Sequence, residues 1–280
     1  MGLSGRMKQT VATLLLSLLP HLGGWAQPFL ELYLESKMPT SRGAKFTAVD
    51  EEHEIHVSGK SYSLHKTYNA RGQVMHELSK NSRGGRSNER RWEYRSNGDL
   101  LKRSGQRFMN SLGWTHEEVE LRYNDTTGFL ESIHYSVGDN FKQWAEVRCD
   151  SLGQPVEAKV YNSKGTLSHI ERVMLIPANN CLRVLRHTPS GLMSGSYNYP
   201  IDPDKPVPTN NLKREYNERG DVVLESLEGQ LKYNQAYYYE YEYDSQGNWI
   251  KRHTYQCSLG SGNRPRNKKL EYTVTRRITY

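Results

Sequence analysis

One short phrase recurs along this chain: a tyrosine, an asparagine or aspartate, two variable residues, then glycine. It stands as Tyr68-Asn69-Ala70-Arg71-Gly72, Tyr161-Asn162-Ser163-Lys164-Gly165, Tyr216-Asn217-Glu218-Arg219-Gly220 and Tyr243-Asp244-Ser245-Gln246-Gly247. Looser copies run Tyr94–Gly98, Tyr123–Gly128 (one residue longer), Cys149–Gly153 and His187–Gly191. A recurring unit constrains the architecture before any site is sought.

Each copy reads as a tight reversal. An Asn or Asp side chain bonds to backbone two residues on and starts a turn. Glycine then accepts the positive φ that closes a short hairpin with a bulge. Gly72, Gly98, Gly128, Gly153, Gly165, Gly191, Gly220 and Gly247 are the expected turn glycines. The flanks alternate as strands do: Val119, Leu121 and Tyr123 against Glu118, Glu120 and Arg122, and Leu270, Tyr272 and Val274 against Glu271, Thr273 and Thr275. Helical periodicity is absent after residue 27.

Turn starts fall at 68, 94, 123 and 149, in steps of 26, 29 and 26, and again at 161, 187, 216 and 243, in steps of 26, 29 and 27. A step near 27 holds two strands, so successive turns share one rim of the sheet. The step of 12 between the sets holds one strand, which moves the second set to the opposite rim. The spacing therefore predicts two tandem halves, about 60–154 and 155–280, the second flipped. Lys80–Arg90, Pro200–Asn211 and Cys257–Lys269 are expected as exposed return loops, from their Gly, Ser, Pro and basic content.

Residues 1–26 have the pattern of a secretory signal peptide: Arg6 and Lys8, the apolar run Val11–Leu19, and Gly24-Trp25-Ala26 as a small-x-small cleavage site. Residues 27–280 are then expected as one exported β domain, in the periplasm, on the cell surface or in the medium. The apolar run is too short to span a bilayer. Loss of Arg6 and Lys8 lowers the net charge from +7 to +5. So small and dispersed an excess gives no argument for a nucleic-acid partner. Cys149, Cys181 and Cys257 can form one bridge at most. Cys149 stands where the repeat has tyrosine, a place for a small buried side chain.

The stretch Tyr241-Glu242-Tyr243-Asp244-Ser245-Gln246-Gly247-Asn248-Trp249-Ile250-Lys251-Arg252 resembles the YD repeat of RHS (rearrangement hotspot) proteins. With the ending Arg276-Arg277-Ile278-Thr279-Tyr280, the chain is similar to small exported bacterial proteins that carry degenerate copies of that repeat. The likeness runs from about residue 60 to the end. It implies a long sheet that spirals or curls, in the largest members into a hollow shell around a toxin. The period here is longer than is usual in that family.

Catalytic patterns are sparse. His53 and His56 would face opposite sides of a strand, a poor geometry for a shared metal, so both read as structural or solvated. The pairs Glu51-Glu52 and Glu117-Glu118 are neighbours in sequence and do not face one another. Ser258 and Ser261 lack a nucleophile-elbow pattern. No enzyme activity, cofactor or metal is expected. The candidate binding surface is the aromatic stripe Tyr237, Tyr239, Tyr241 and Tyr243, with Trp249 and Tyr255 beyond the turn, although cross-strand ladders of this kind also serve a sheet alone.

The sequence thus predicts an all-β antiparallel meander of repeated hairpins, roughly fourteen to eighteen strands, strongly curled or a partly open barrel. Its expected role is an exported non-catalytic binding or scaffolding module of the bacterial cell envelope, with a glycan or another envelope protein as partner. The alternatives are a secreted hydrolase acting on glycans, and a self-assembling subunit that uses an exposed edge such as the C-terminal strand.

Overall fold

A computed structural model describes residues 29–37, 46–109, 113–138, 141–179, 181–200, 212–227 and 235–280. The signal-like segment 1–26 lies outside the described residues. The elements are helix α1 (Phe29–Lys37) and seventeen strands: β1 (Ala48–Ile55), β2 (Lys60–Tyr68), β3 (Val74–Asn81), β4 (Arg86–Tyr94), β5 (Leu100–Met109), β6 (Gly113–Tyr123), β7 (Leu130–Val137), β8 (Phe141–Cys149), β9 (Pro155–Asn162), β10 (Leu167–Ile176), β11 (Cys181–His187), β12 (Met193–Pro200), β13 (Leu212–Tyr216), β14 (Val222–Leu227), β15 (Gln235–Tyr243), β16 (Trp249–Leu259) and β17 (Pro265–Thr279). They form one antiparallel sheet that does not close into a barrel.

The turn chemistry sets the ladder. Asn69, Asn162, Asn217 and Asp244 each accept, on Oδ1, the backbone N–H groups two and four residues on, at 2.9–3.0 Å. The glycine that follows sits at φ near +80°, between 75° and 85° in these four copies. That is left-handed backbone which a side chain makes costly. The register then slips at the repeat tyrosine, between Thr67 and Tyr68, Glu215 and Tyr216, and Glu242 and Tyr243, as a bulge requires. Asn81-Ser82-Arg83-Gly84-Gly85 forms a further copy without a tyrosine, its Asn81 Oδ1 accepting from Arg83 and Gly85. The expected loop Lys80–Arg90 is therefore mostly strand around one tight turn. Cys257–Lys269 is likewise strand on both sides of Gly260–Arg264. Most of Pro200–Asn211 lies outside the described residues.

Neighbouring turns latch onto one another. Arg71 donates to the Ser96 carbonyl at 2.5 Å, Arg95 lies over the Tyr123 ring at 4.6 Å, and Arg219 over Tyr243 at 4.4 Å. The repeat tyrosine has a second duty. Tyr94 Oη donates to the Val74 carbonyl and Tyr123 Oη to that of Leu100, the first strand residue beyond the preceding bulge. Cys149 Sγ approaches the equivalent carbonyl of Leu130 at 3.4 Å, so the thiol fills the hydroxyl's place. Cys149 is half-buried, Cys181 and Cys257 are buried, and all three are free thiols.

The turns at 149 and 161 lie on opposite rims, as the step of 12 requires, because a single strand, β9, separates them. The turns at 216 and 243 do not stay with 161 and 187. β1 pairs antiparallel with both β2 and β17, so the order across the sheet is β13 to β17, then β1, then β2 to β12. That order makes β12 and β13 run in the same direction. The last two turns thereby return to the rim of the first set, and the flipped second half ends at β12. Strand β17 is internal, between β16 and β1. Among the described residues the edges are β12 and β13, not the C-terminal strand.

A flat sheet would hold β16 and β5 about 29 Å apart, six strand spacings. Trp249 of β16 and Phe108 of β5 instead line one cavity, so the sheet curls and gains an inner face. Over β5 to β12 that face is apolar: Val119, Leu121, Ile133, Ala145, Ala158, Val160 and Val184 are fully buried. Helix α1 fills this half with Phe29, Leu30, Leu32 and Tyr33. The absence of helix after residue 27 is thus overturned by this segment. Nine residues are too few for a stable isolated helix. It exists because it is docked, and because Glu171 of β10, 0 % exposed, accepts from Phe29 N and Leu30 N, each at 3.0 Å. A carboxylate there meets both the orphan N–H groups and the positive end of the helix dipole.

Candidate functional site

The other half of the inner face, from β16 through β17 and β1 to β5, is polar. Alternation on β1 turns Glu51 and His53 to the same side, and the β1–β17 register sets Glu51 opposite Arg276 and His53 opposite Val274. Arg276 donates to Glu51 Oε1 at 2.7 Å from Nε and again at 2.7 Å from a terminal nitrogen. His53 Nε2 donates to Glu51 Oε2 at 2.9 Å, and His53 Nδ1 accepts from the Tyr272 hydroxyl. That hydroxyl in turn accepts from Tyr62, at 2.8 Å. The Tyr62 ring stacks on His53 with centroids 4.3 Å apart. Glu51 and His53 are 5 % and 8 % exposed, so this chain is shielded from water.

Burial alone would raise the Glu51 carboxyl. The His53 hydrogen bond and the positive charges of Arg276 and Lys66 overrule it and hold the group well below the usual carboxylate range. Burial pushes the hydroxyls of Tyr62 and Tyr272 up, away from ionisation. Burial, and then the neighbouring Arg252, hold the Arg276 guanidinium below its usual value against the opposing pull of Glu51.

This cluster walls a cavity of about 620 Å³. Tyr62 and Trp249 bring rings to it, while Phe108 lines it at the end of β5 with its ring turned to Trp114 on the outer face. Ser79, Asn81, Ser82, Ser87 and Asn88 bring hydroxyls and amides. Arg276 lies over the Trp249 ring at 3.3 Å and Arg252 at 5.3 Å, so two guanidinium groups flank one indole.

The aromatic stripe divides here. Tyr239 and Tyr241 share the inner face with Arg252 and Thr254, their cross-strand neighbours, and Tyr241 reaches Trp249 at 6.2 Å. Tyr237 lies opposite Gln256, further along the same face. Tyr241 Oη donates to the Val222 carbonyl, and Tyr243 Oη to Asp221 while accepting from Asn217. Only Trp249 of the stripe lines the cavity itself. Tyr255 belongs to the opposite face, paired with Tyr238 at 6.4 Å beneath Lys268. His56 bonds Thr273 Oγ1 at 2.8 Å, on the side away from His53.

Sequence reasoning missed Glu51 with His53, Tyr62, Arg252, Tyr272 and Arg276. The spacing of Glu51 and His53 by two, and of Tyr272, Val274 and Arg276 by two, was the available signal. The partners could not be joined without knowing that β1 lies between β17 and β2.

No family model matches the chain, and no curated protein matches it. Among solved structures it is similar to a porin-like protein from Bacteroides uniformis, at 12 % identity over 83 % of this chain and 96 % of that one, with a TM-score of 0.42. It is also similar to the Photorhabdus luminescens Tc holotoxin pore, at 12 % identity over 71 % of this chain and a TM-score of 0.32. A third likeness is to the TcdB2-TccC3-Cdc42 structure, at 10 % identity over 76 % of this chain and a TM-score of 0.27. The chain spans 13 % and 15 % of the length of those two toxin chains. At such scores the likeness assigns neither a family nor an activity. Among the described residues no helix is long and apolar enough to cross a membrane.

Proposed function

We propose that this chain is an exported, non-catalytic binding module of the cell envelope, and that the polar cavity between β16 and β5 holds a glycan. The cavity carries the reading. The Tyr62 and Trp249 rings, each already stacked on one neighbour, add apolar surface to its wall, and its serines and asparagines offer hydrogen bonds to hydroxyls, the mixture that small-molecule sites use for affinity and orientation. The signal-like N-terminus supports export. The non-catalytic part is supported by the bonding of the wall: both oxygens of the Glu51 carboxylate are already engaged, one by Arg276 and one by His53.

Glycan-array binding of the full chain tests this, with Trp249→Ala as the cavity variant and Tyr255→Ala as the control on the other face. The expected result is capture of a defined set of sugars, lost in Trp249→Ala and kept in Tyr255→Ala. Capture that survives Trp249→Ala places any binding elsewhere. A second reading, hydrolysis of a glycan, draws on the unbroken chain Glu51–His53–Tyr272–Tyr62 along the cavity wall. Release of reducing ends from an array-positive sugar, abolished by His53→Gln, would favour it.

A further inference from the structure

We propose that this cavity selects an anionic ligand, one bearing two or more carboxylate, sulfate or phosphate groups. The proposal rests on the binding reading above and narrows it to acidic glycans. The argument begins with charge. Six cationic side chains line the cavity, Lys60, Lys66, Arg90, Arg107, Arg252 and Arg276, against two carboxylates, Glu51 and Glu77. Both carboxylates are already shared. Glu51 is held by Arg276 and His53, and Glu77 lies 3.9 Å from Lys66 and 3.6 Å from Arg90. The lining therefore keeps an excess of four positive charges.

The outer face of the same sheet is built differently. There Glu118 meets Lys102 at 2.8 Å, Glu157 meets Arg172 at 2.8 Å, and Glu89 meets both Arg86 and Arg91. Cations are set beside carboxylates outside, as cross-strand pairing favours. In the cavity they outnumber them, and low-dielectric walls focus that excess onto whatever enters.

Arg252 gives the excess a shape. Its guanidinium is held between the Trp249 ring at 5.3 Å and the Tyr239 ring at 6.0 Å. Its Nε is buried with no hydrogen-bond partner among the described residues. Arg276 lies on the same indole and directs Nε and one terminal nitrogen to Glu51. A stacked guanidinium is a rigid planar fork, suited to carboxylate, sulfate or phosphate oxygens in pairs. A buried donor left unpaired is costly, and an anion that accepts from Arg252 Nε removes that cost.

The test is calorimetric titration of the full chain at low salt with three probes: oligogalacturonate, the same oligosaccharide with its carboxyls methyl-esterified, and inorganic pyrophosphate. The acid is expected to bind at least about tenfold tighter than the ester, with the advantage shrinking as salt rises. Arg252→Gln should cut affinity for the acid about tenfold, the loss of one charge-assisted contact. Lys60→Gln, at the exposed rim, is the second variant should Arg252→Gln fail to fold, and it should weaken the acid while leaving the ester unchanged. Equal affinity for acid and ester, or indifference of the acid to Arg252→Gln and Lys60→Gln, overturns the anionic site while glycan binding stands. Pyrophosphate binding that depends on Arg252, with neither sugar bound, keeps the anion site and removes the glycan. No binding of any probe refutes both.

Discussion

The Glu171 carboxylate makes a prediction that can be worked through. Glu171→Gln keeps the side chain's volume and leaves one acceptor oxygen where Phe29 N and Leu30 N now have one each. One charge-assisted bond, worth about 1.5–3 kcal/mol, is lost, and the other falls to a neutral bond about 1 kcal/mol weaker. The sum, about 2.5–4 kcal/mol, acts on the docking of α1, and loss of the charge also weakens the contacts of Glu171 with His169 at 3.2 Å and Arg186 at 3.6 Å, a local cost in β10 and β11. Nothing intrinsic to a nine-residue helix replaces it. The open-to-docked ratio should therefore rise by about two to three orders of magnitude. Native-state hydrogen exchange read by mass spectrometry reports this directly, as lost protection across Phe29–Lys37. Amides of β2 to β4, remote from the helix, should keep their wild-type rates. Unchanged protection in the helix, or an equal loss throughout the sheet, would refute the reasoning. The first would mean that apolar packing alone holds α1, the second that α1 is part of the global folding unit.

Two further expectations use the same physics. Gly165→Ala meets nothing within 4 Å and should cost about 1–2 kcal/mol for the left-handed backbone alone, whereas a Cβ at Gly153 would lie 2.7 Å from the Phe129 ring, so Gly153→Ala should cost distinctly more in urea denaturation. Equal losses would mean that the ring moves aside freely. Glu51 titrates lower folded than unfolded, so its contribution is present above the unfolded value near 4.5 and is lost as pH falls below it. The stability gap between wild type and Glu51→Gln should accordingly narrow with acidification from pH 5 downward, and a gap that holds constant would mean Glu51 is not depressed in the fold.

Local chemistry was legible in the sequence, and pairing between distant segments was not. An asparagine followed three residues later by glycine carries its own turn, which is why Gly72, Gly165, Gly220 and Gly247 could be placed from spacing. The same spacing misplaced the turns at 216 and 243, because nothing local reports that β12 and β13 run in the same direction. The sequence Phe29–Leu34 is apolar on nearly every side and too short to show a helical period, and its capping group lies about 140 residues away. The site suffered similarly. His53 read as a structural or solvated histidine and Glu51 as one of two neighbouring carboxylates that do not face each other; both are buried because β17 covers one side of β1 and β2 the other. The hydroxyls of Tyr94 and Tyr123 proved to close the carbonyls of Val74 and Leu100 beyond a bulge, a role the spacing of the phrase does not show.

The position of β1 carries a consequence for how the molecule is made. Strand β1 has one of its two neighbours more than two hundred residues further along the chain, with Val49 set beside Ile278. A nascent chain can zip β2 to β12 hairpin by hairpin, but β1 must hold an open flank until β17 has been made. Contacts so distant in sequence are slow to form. A message interrupted before β17 would release a sheet with its Glu51 side uncovered, prone to join a stranger's strand.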